Sequence, residues 1–291
     1  MASLLDMRRR IKSVKNTQQI TKAMKMVAAA KLKRAQDRVT ASRPFAGKMS
    51  EVLGNLSSAA GDFSHPLLDE RGDSKYLVVL ISADKGLAGA FNANVIKATQ
   101  AFLKENDGKM GEMIAVGRKG RDFFKRREIR FADEYIGLTG SGQVNHADSV
   151  AIAQKIIEIF TSDETIDKVF IVFTEFKTVL TQKPVIQQLL PITKTAEAGD
   201  AQAGGGEAEY IYEQPAAEIF GRLLPKQVEA QVYRGMLESV ASEQGSRMTA
   251  MDSASKNAGE LIDSLTLNMN RIRQAAITKE IIEVVSGAAA A

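Results

Sequence analysis

The strongest constraint on the fold of this chain is a long C-terminal segment with a strict four-three repeat. The segment from Lys226 to the end contains no Pro. A four-three spacing sustained over many turns is typical of a helix that packs along a partner in a coiled coil. Small and polar residues within the repeat would let that partner approach closely. The repeat comprises Leu237, Ala241, Gln244, Met248, Met251, Ser255, Ala258, Ile262, Leu265, Met269, Ile272 and Ala276.

A second long helix is predicted at the start of the chain, from Leu4 to about Ser58. Its apolar residues also recur every three or four positions, and the period continues after Pro44. Both helices would lead into or out of one central domain, so we expect them to pair antiparallel and to project from it. The predicted stripe comprises Leu4, Met7, Ile11, Val14, Thr17, Ile20, Met24 and Val27, and then drifts to Ala28, Leu32, Ala35 and Val39.

Charge is distributed unevenly along the chain. Residues 1–50 carry 13 Lys and Arg against 2 Asp, a net charge of +11, whereas the whole chain carries +4. The remainder is therefore at −7. Such a basic segment indicates either a solvated helix face or an acidic partner, which could be a nucleic acid, a membrane surface or an acidic protein surface.

Composition excludes several classes of chemistry. The chain has no Cys and 2 His, which excludes disulfides and thiol nucleophiles and argues against a zinc site. The sequence contains no run of about 18 apolar residues, so no membrane span is predicted. The N-terminus lacks the apolar core of a signal peptide, and the first helix is too long for a transit peptide, so we expect a soluble protein on the cytosolic side.

Between the two long helices, short β-branched runs alternate with helical patterns. This alternation predicts a mainly parallel sheet with helical crossovers. Pro184 and Pro191 limit 178–192 to the edge of that sheet, and 193–208 reads as a flexible loop. The predicted strands are 75–82, 112–117 and 168–175, and the predicted helices are 91–103, 118–127 and 148–160.

The predicted fold class is therefore α/β. A long antiparallel coiled coil of the N- and C-terminal helices is joined to a Rossmann-like domain with a mainly parallel sheet. The expected division is an N-terminal helix over 1–60, a globular α/β domain over 61–208 and a C-terminal helix over 209–291 that pairs with the first.

Two segments of the central domain raise functional alternatives. SADKGLAGAFN (82–92) lies between a strand and a helix, where phosphate loops occur, but it matches neither G-x-G-x-x-G nor a P-loop. RKGRDFFKRREIR (118–130) combines cations with Phe123 and Phe124, which suits either base stacking or a short helix with a buried aromatic face. Two functions remain open at this point: a coiled-coil nucleic-acid binder and an α/β phosphate-handling enzyme. An enzyme would leave the long helical pair and its basic half unexplained.

Three motifs carry a resemblance to a known family. They are IKSVKNTQQITKAMKMVAAAKL (11–32), SADKGLAGAFN (82–92), and EQGSRMTAMDSASKNAGELI (243–262) with NRIRQAAITKEIIEVVSGA (270–288). Over its whole length the chain resembles the gamma chains of bacterial F-type ATP synthases. The middle motif departs from the family's usual S-D-R-G-L-C-G at Ala83, Lys85 and Ala88.

The resemblance implies a rotor that performs no bond chemistry and holds no cofactor. Paired helices would turn inside a ring of alpha and beta subunits, and so couple the membrane c ring to the catalytic beta subunits. Its partners would be the alpha, beta and epsilon subunits and the c ring, with a single copy per assembly and no nucleic acid. Its place would be peripheral, at the cytoplasmic face of the bacterial inner membrane.

The resemblance also implies which residues contact these partners. Met24 and Lys25 match the family's contact with the acidic lever loop of the beta subunits. Tyr210, Tyr212 and Glu213 are expected to face the c ring. The upper contacts of the helical pair are expected at Arg247, Arg273, Gln274, Thr278 and Glu280.

Overall fold

The structure, a computed structural model, describes residues 4–59, 63–140, 142–192 and 215–289. The chain forms two compact units, one of Met1–Ala28 with Arg247–Ala291 and one of Ala29–Ser246. We call them the helical pair and the α/β unit. The elements are α1 (Leu4–Ala59), β1 (Tyr76–Ile81), α2 (Phe91–Glu105), β2 (Met110–Val116), α3 (Arg118–Lys125), β3 (Phe131–Tyr135), α4 (His146–Ser162), β4 (Lys168–Phe176), β5 (Gln182–Leu190) and α5 (Ala216–Ala289).

The α/β unit contains a five-stranded sheet in the order β3-β2-β1-β4-β5. Strands β1 to β4 run parallel, and β5 is antiparallel to β4. Every residue of the central strand β1 is buried, because helices cover both faces of a parallel sheet and leave no polar side. The parallel pairing of β1 to β4 confirms the predicted mainly parallel sheet.

The two edge strands differ in how well the sequence predicts them. Strand β5 confirms the expected edge position of the Pro-containing segment, and Pro184 lies within it opposite Thr174. Strand β3 was not predicted, and the basic helix before it ends at Lys125 instead of 127. The sequence of β3, FADEY, is half-buried throughout and lacks the apolar run that marks the inner strands.

In the helical pair, α1 and α5 run antiparallel. The side-chain amide of Gln18 donates to the carbonyl oxygen of Ser255 at 3.3 Å, and further along α1 Lys25 pairs with Asp252, which lies earlier in α5. All twelve positions of the predicted repeat, from Leu237 to Ala276, are buried or half-buried. The first three of these positions, up to Gln244, lie in the α/β unit and the other nine in the helical pair, so the burial predicted along α5 is confirmed.

The seam predicted on α1 is wrong in part. Thr17, Ile20 and Val27 are exposed, with Ile20 at 59% and Val27 at 56%. The buried and half-buried face instead keeps strict four-three spacing by passing through polar residues. The prediction followed the apolar side chains and missed this register, in which Gln18 reaches across to the other helix. The face comprises Met7, Ile11, Val14, Gln18, Thr21, Lys25, Ala28, Leu32, Ala35 and Val39.

A glycine of α5 faces the side chain of Gln18. A Cβ atom added to Gly259 would lie 3.1 Å from the side-chain nitrogen of Gln18. The polar seam position on one helix is thus matched by the smallest residue on the other. Within the described ranges, none of the helices contains a stretch apolar and long enough to cross a membrane.

Candidate functional site

The carboxyl edge of the sheet is where an α/β enzyme would carry its active site. Asp84 lies there, just after β1, and is 9% exposed. Its carboxylate accepts hydrogen bonds from the backbone N–H groups of Arg118 (3.1 Å), Gly137 (3.0 Å) and Thr139 (3.3 Å), and from the Thr139 hydroxyl (3.1 Å). Both carboxylate oxygens therefore hold neighbouring loops in place, which leaves Asp84 unsuited to binding a metal or a substrate.

The described contacts of the Gly-containing loop after β1 do not support a phosphate cradle either. The backbone N–H of Ala83 donates to the side-chain oxygen of Asn92 at 3.0 Å, so the loop satisfies this donor internally. Among the residues that the structure describes, no three Asp, Glu or His side chains come together in a way that could hold a metal ion. The geometry gives no support to the phosphate-handling alternative.

The aromatic residues of α3 are not displayed for stacking on nucleic-acid bases. Phe124 is 1% exposed and belongs to the core around Val78, Leu80 and Met113. Phe123 is half-buried, and the guanidinium of Arg127 lies 3.7 Å from its ring centroid. The buried-face interpretation of this helix is the one that its packing supports.

The features left for function lie on the helical pair. Lys25 is central among them, because its ammonium group contacts the carboxylate of Asp252 at 2.6 Å. Lys256 contacts the other oxygen of the same carboxylate at 3.2 Å. The hydrogen bonds from Lys25 and then from Lys256 lower the pKa of Asp252 below its usual value. All three groups stay partly exposed, so the cluster presents a net positive charge to any partner.

The other predicted contact residues occupy different environments. Met24 is half-buried next to Lys25, and Arg247 is half-buried where α5 enters the helical pair. Tyr210, Tyr212 and Glu213 lie outside the described residues. The upper group is exposed, and the Thr278 hydroxyl donates a hydrogen bond to the carbonyl oxygen of Gln274 at 2.9 Å. This group comprises Arg273, Gln274, Thr278 and Glu280.

The end of α5 extends beyond the described start of α1. Because Gln18 contacts Ser255 and both helices rise by about 1.5 Å per residue, Leu4 should lie near residue 269 of α5. All residues from 277 to 288 are exposed. The upper contact group therefore lies on a part of α5 that has no described helix beside it.

Sequence reasoning missed that this free end is strongly apolar. Exposed apolar clusters of this kind mark surfaces that a partner covers. The unequal lengths of the two predicted helices already indicate that the end of α5 extends past its partner, and the β-branched residues stand in the sequence ITKEIIEVV. The structure adds that these side chains are exposed there. The residues are Ile277 (48% exposed), Ile281 (57%), Ile282 (59%), Val284 (71%) and Val285 (62%).

Comparisons with known proteins identify the family to which this chain is similar. A family model described as ATP synthase matches residues 3–291. The chain is 53% identical to the ATP synthase gamma chain of Solibacter usitatus over 295 residues, covering 100% of both chains. It is 51% identical to the gamma chain of Desulforamulus reducens over 290 residues, covering 100% of this chain and 99% of that one.

Solved structures share the fold. The central stalk and c ring structure of the Tetrahymena thermophila mitochondrial ATP synthase contains a chain with a TM-score of 0.62 and 27% identity, covering 81% of this chain and 99% of that one. A chain of the Euglena gracilis mitochondrial ATP synthase shares the fold, with a TM-score of 0.67, 20% identity and coverage of 99% and 94%. With full-length matches at about half identity, this chain belongs to the ATP synthase gamma chain family.

Proposed function

We propose that this chain is the central-stalk, or rotor, subunit of a bacterial F-type ATP synthase. It couples rotation of the membrane c ring to the conformational cycling of the catalytic beta subunits, and it carries out no bond chemistry itself. The full-length similarity to bacterial gamma chains is the observation that carries this proposal. Its partners are the alpha, beta and epsilon subunits and the c ring.

The unequal helices of the pair suit this role. A ring of like subunits cannot distinguish its own members, so a central element must present a different face to each of them. Coupling requires that contact energies differ between orientations. The first 50 residues carry a net charge of +11, whereas 226–287 are close to neutral, with 7 Lys and Arg against 8 Asp and Glu. The two helices therefore differ electrostatically.

Lys25 and Met24 are proposed as the contact with an acidic loop of the beta subunits. Asp252 neutralises Lys25 only in part, since Lys256 shares the same carboxylate and the Lys25 side chain is 43% exposed. A passing acidic group can therefore compete for Lys25 without first breaking a buried ion pair. Such weak and exchangeable contacts are what a turning surface requires.

The exposed end of α5 is proposed to lie inside the ring. Its polar residues Arg273, Gln274, Thr278 and Glu280 would make specific contacts, while the apolar residues beyond Ile277 would be covered by apolar ring surface. The α/β unit would receive rotation from the c ring, with Tyr210, Tyr212 and Glu213 as the proposed contacts. The three-part division at residues 60 and 208 remains a proposal of the same kind.

The proposed location is peripheral, at the cytoplasmic face of the bacterial cell membrane. It follows from the proposed contact with a membrane c ring and from the bacterial origin of the relatives named above. The nucleic-acid alternative draws no support from those relatives, which are gamma chains. Co-expression with alpha, beta and epsilon subunits should yield a stoichiometric complex, and failure to co-purify would count against the rotor.

The Met24→Lys variant tests coupling within the assembled enzyme. The added charge should disturb the contact with the beta subunits, so proton pumping in reconstituted vesicles should fall more than ATP hydrolysis. The Met24→Leu variant conserves volume and should behave like the wild type. Equal losses of pumping and hydrolysis in Met24→Lys, or no loss, would exclude a coupling role for this position.

A further inference from the structure

One face of α5 within the α/β unit is polar although it is buried. Glu238, Ser239 and Ser242 are 2%, 2% and 0% exposed. With the half-buried Ser246 they follow helical spacing and so lie on a single face of α5. We call these four residues the polar stripe. Polar side chains are buried at this density only when they have specific partners.

The partners of the polar stripe are main-chain groups at the end of β4. The N–H of Thr174 donates to the Ser239 hydroxyl oxygen at 3.2 Å, and the Ser242 hydroxyl donates to the carbonyl oxygen of Thr174 at 3.0 Å. The N–H of Phe176 donates to the carboxylate of Glu238 at 2.9 Å. A helix side therefore supplies the hydrogen bonds that a neighbouring strand would normally supply.

These hydrogen bonds begin where strand pairing stops. The β1–β4 ladder ends at the pair Leu80 and Val172, two residues before Thr174. On the other side, Thr174 faces Pro184 of β5, which has no N–H to offer. Because both main-chain groups of Thr174 point to α5, Pro184 interrupts no hydrogen bond of the β4–β5 ladder.

The position is also the topological switch point of the sheet. The chain leaves β1 towards β2 and β3, then returns to β4 on the other side of β1. In doubly wound folds the crevice at this point is where ligands bind. Here α5 occupies it, so this domain uses its ligand crevice to hold a helix of its own.

Glycines bring α5 close enough to the sheet for these contacts. A Cβ atom on Gly235 would lie 3.2 Å from the Ile171 side chain and 3.3 Å from that of Ile81. At the far end, Ser246 contacts the side-chain oxygen of Gln182, the first residue of β5, at 3.0 Å. The stripe therefore joins α5 to β4 and β5 along about two helical turns.

We propose that Glu238, Ser239 and Ser242 form a torque clamp, which fixes α5 on the sheet against both axial sliding and rotation about its own axis. The inference rests on the proposed rotor function, in which rotation enters the α/β unit and leaves through the long helices. The buried apolar residues of α5 also oppose sliding by interdigitating with the core, but hydrophobic attraction itself has no preferred direction. Hydrogen bonds depend on distance and angle, and one displaced by a fraction of a helical turn is lost.

The Ser239→Ala/Ser242→Ala double variant in the complete synthase tests the clamp. The catalytic ring is arrested with a non-hydrolysable ATP analogue, and the angular fluctuation of a bead fixed to the α/β unit reports the torsional stiffness of the rotor. We expect wider fluctuations than in the wild type. The amide of Thr174 loses its hydrogen-bond acceptor in this variant. Its hydrogen exchange should therefore be roughly tenfold faster than in the wild type, which corresponds to the free energy of about one hydrogen bond.

Matched controls separate this role from general stability. Ser253→Ala and Ser264→Ala make the same change at exposed positions of α5 and should leave both measurements unchanged. Glu238→Gln keeps an acceptor for the Phe176 amide and should retain more stiffness than Glu238→Met, which has a similar length and no such acceptor. If the double variant fails to assemble, the single Ser239→Ala variant is judged by the same criterion.

The outcomes are distinguishable. Wild-type stiffness in an assembled serine variant overturns the clamp, even where its melting temperature falls. Wider fluctuations in the serine variants, with unchanged controls, support it. If the wild-type chain itself neither assembles with the ring nor rotates, the rotor function has failed, and that result is obtained before any variant is made.

Discussion

The α/β unit and the helical pair bury different kinds of residues. In the α/β unit, β1 buries its run from Leu77 to Ile81 completely, and Phe124 and Phe160 are 1% and 0% exposed. In the helical pair, small side chains are prominent among the buried residues, with Ala28 at 1% and Ala258 at 8%. The first unit is filled by large interlocking side chains, and the second is a narrow seam with much of its surface open.

This difference indicates how each unit serves a rotor. A dense core resists deformation, because side chains in such a core have no room to shift. A narrow seam leaves most of both helices available to surrounding subunits, at a cost in intrinsic stability. The two units should therefore respond differently to the same classes of substitution.

The largest effect is expected from Phe160→Ala in the α/β unit. The ring is fully buried and also carries the Arg71 guanidinium 4.2 Å above its centroid. Its removal should lower the free energy of unfolding by about 3–5 kcal/mol. Urea unfolding of the purified chain measures this, and a loss under about 1 kcal/mol would mean that the core is not rigid.

A smaller effect is expected from Ala258→Leu in the seam of the helical pair. The larger side chain has to displace α1, so overpacking should cost about 1–3 kcal/mol. Ala275→Leu makes the same change at an exposed position and should stay within about 0.5 kcal/mol of the wild type. Thermal melting followed by circular dichroism compares them, and equal stability of the two variants would disprove the assigned seam.

Lys25→Met should change the titration of Asp252. Without the hydrogen bond from Lys25, the pKa of Asp252 should rise towards its usual value of 3.8. Because the folded pKa lies below the unfolded one, the stabilisation is fully present above 3.8 and is lost as the pH falls through the folded value. Carboxyl NMR titration measures the shift.

Lys33→Met serves as the control for that titration, since Lys33 pairs with Asp37 on α1, whereas Asp252 pairs with Lys25 and Lys256. It should leave the Asp252 pKa unchanged. A similar shift in both variants would show that general charge, and not the direct contact, sets the titration.

The smallest effect on stability is expected at the free end of α5. Ile281→Ser and Val284→Ser alter side chains that are 57% and 71% exposed, so the purified chain should unfold within about 0.5 kcal/mol of the wild type. The same variants should weaken assembly with the alpha and beta subunits, measured by complex yield. A stability loss comparable to that of Ala258→Leu would show that these residues pack within the chain.

The parts predicted correctly from the sequence are those with local, repeated signals. In the four-three repeat from Leu237 onward and in the apolar runs of the inner strands, a few neighbouring residues are enough to predict which positions are buried. Strand β3 lacks such a pattern of apolar residues, because it is a half-buried edge strand with two acidic residues. The α1 seam was misread at Ile20 and Val27, since a polar Gln18 satisfied from across the pair looks like a surface residue in the sequence.

The predicted contact residues divide in the same way. The resemblance of the motifs predicted Lys25 as a contact residue. It did not predict the ion pair with Asp252, which lies 227 positions away and contacts Lys25 only in the folded pair. The resemblance also predicted polar contact residues near the end of α5. It did not predict that Ile281 and its neighbours are exposed there, which depends on where α1 ends.

The amino-acid sequence determines the long helices, the inner strands and the family, because periodicity and motifs are properties of neighbouring residues. Tertiary structure alone decides which polar groups are buried and what satisfies them. Asp84 holds loops instead of a ligand, and Ser239 and Ser242 bind strand β4 instead of water. A hydrogen bond between distant segments leaves no periodic trace in either one, so its existence depends on the fold that brings them together.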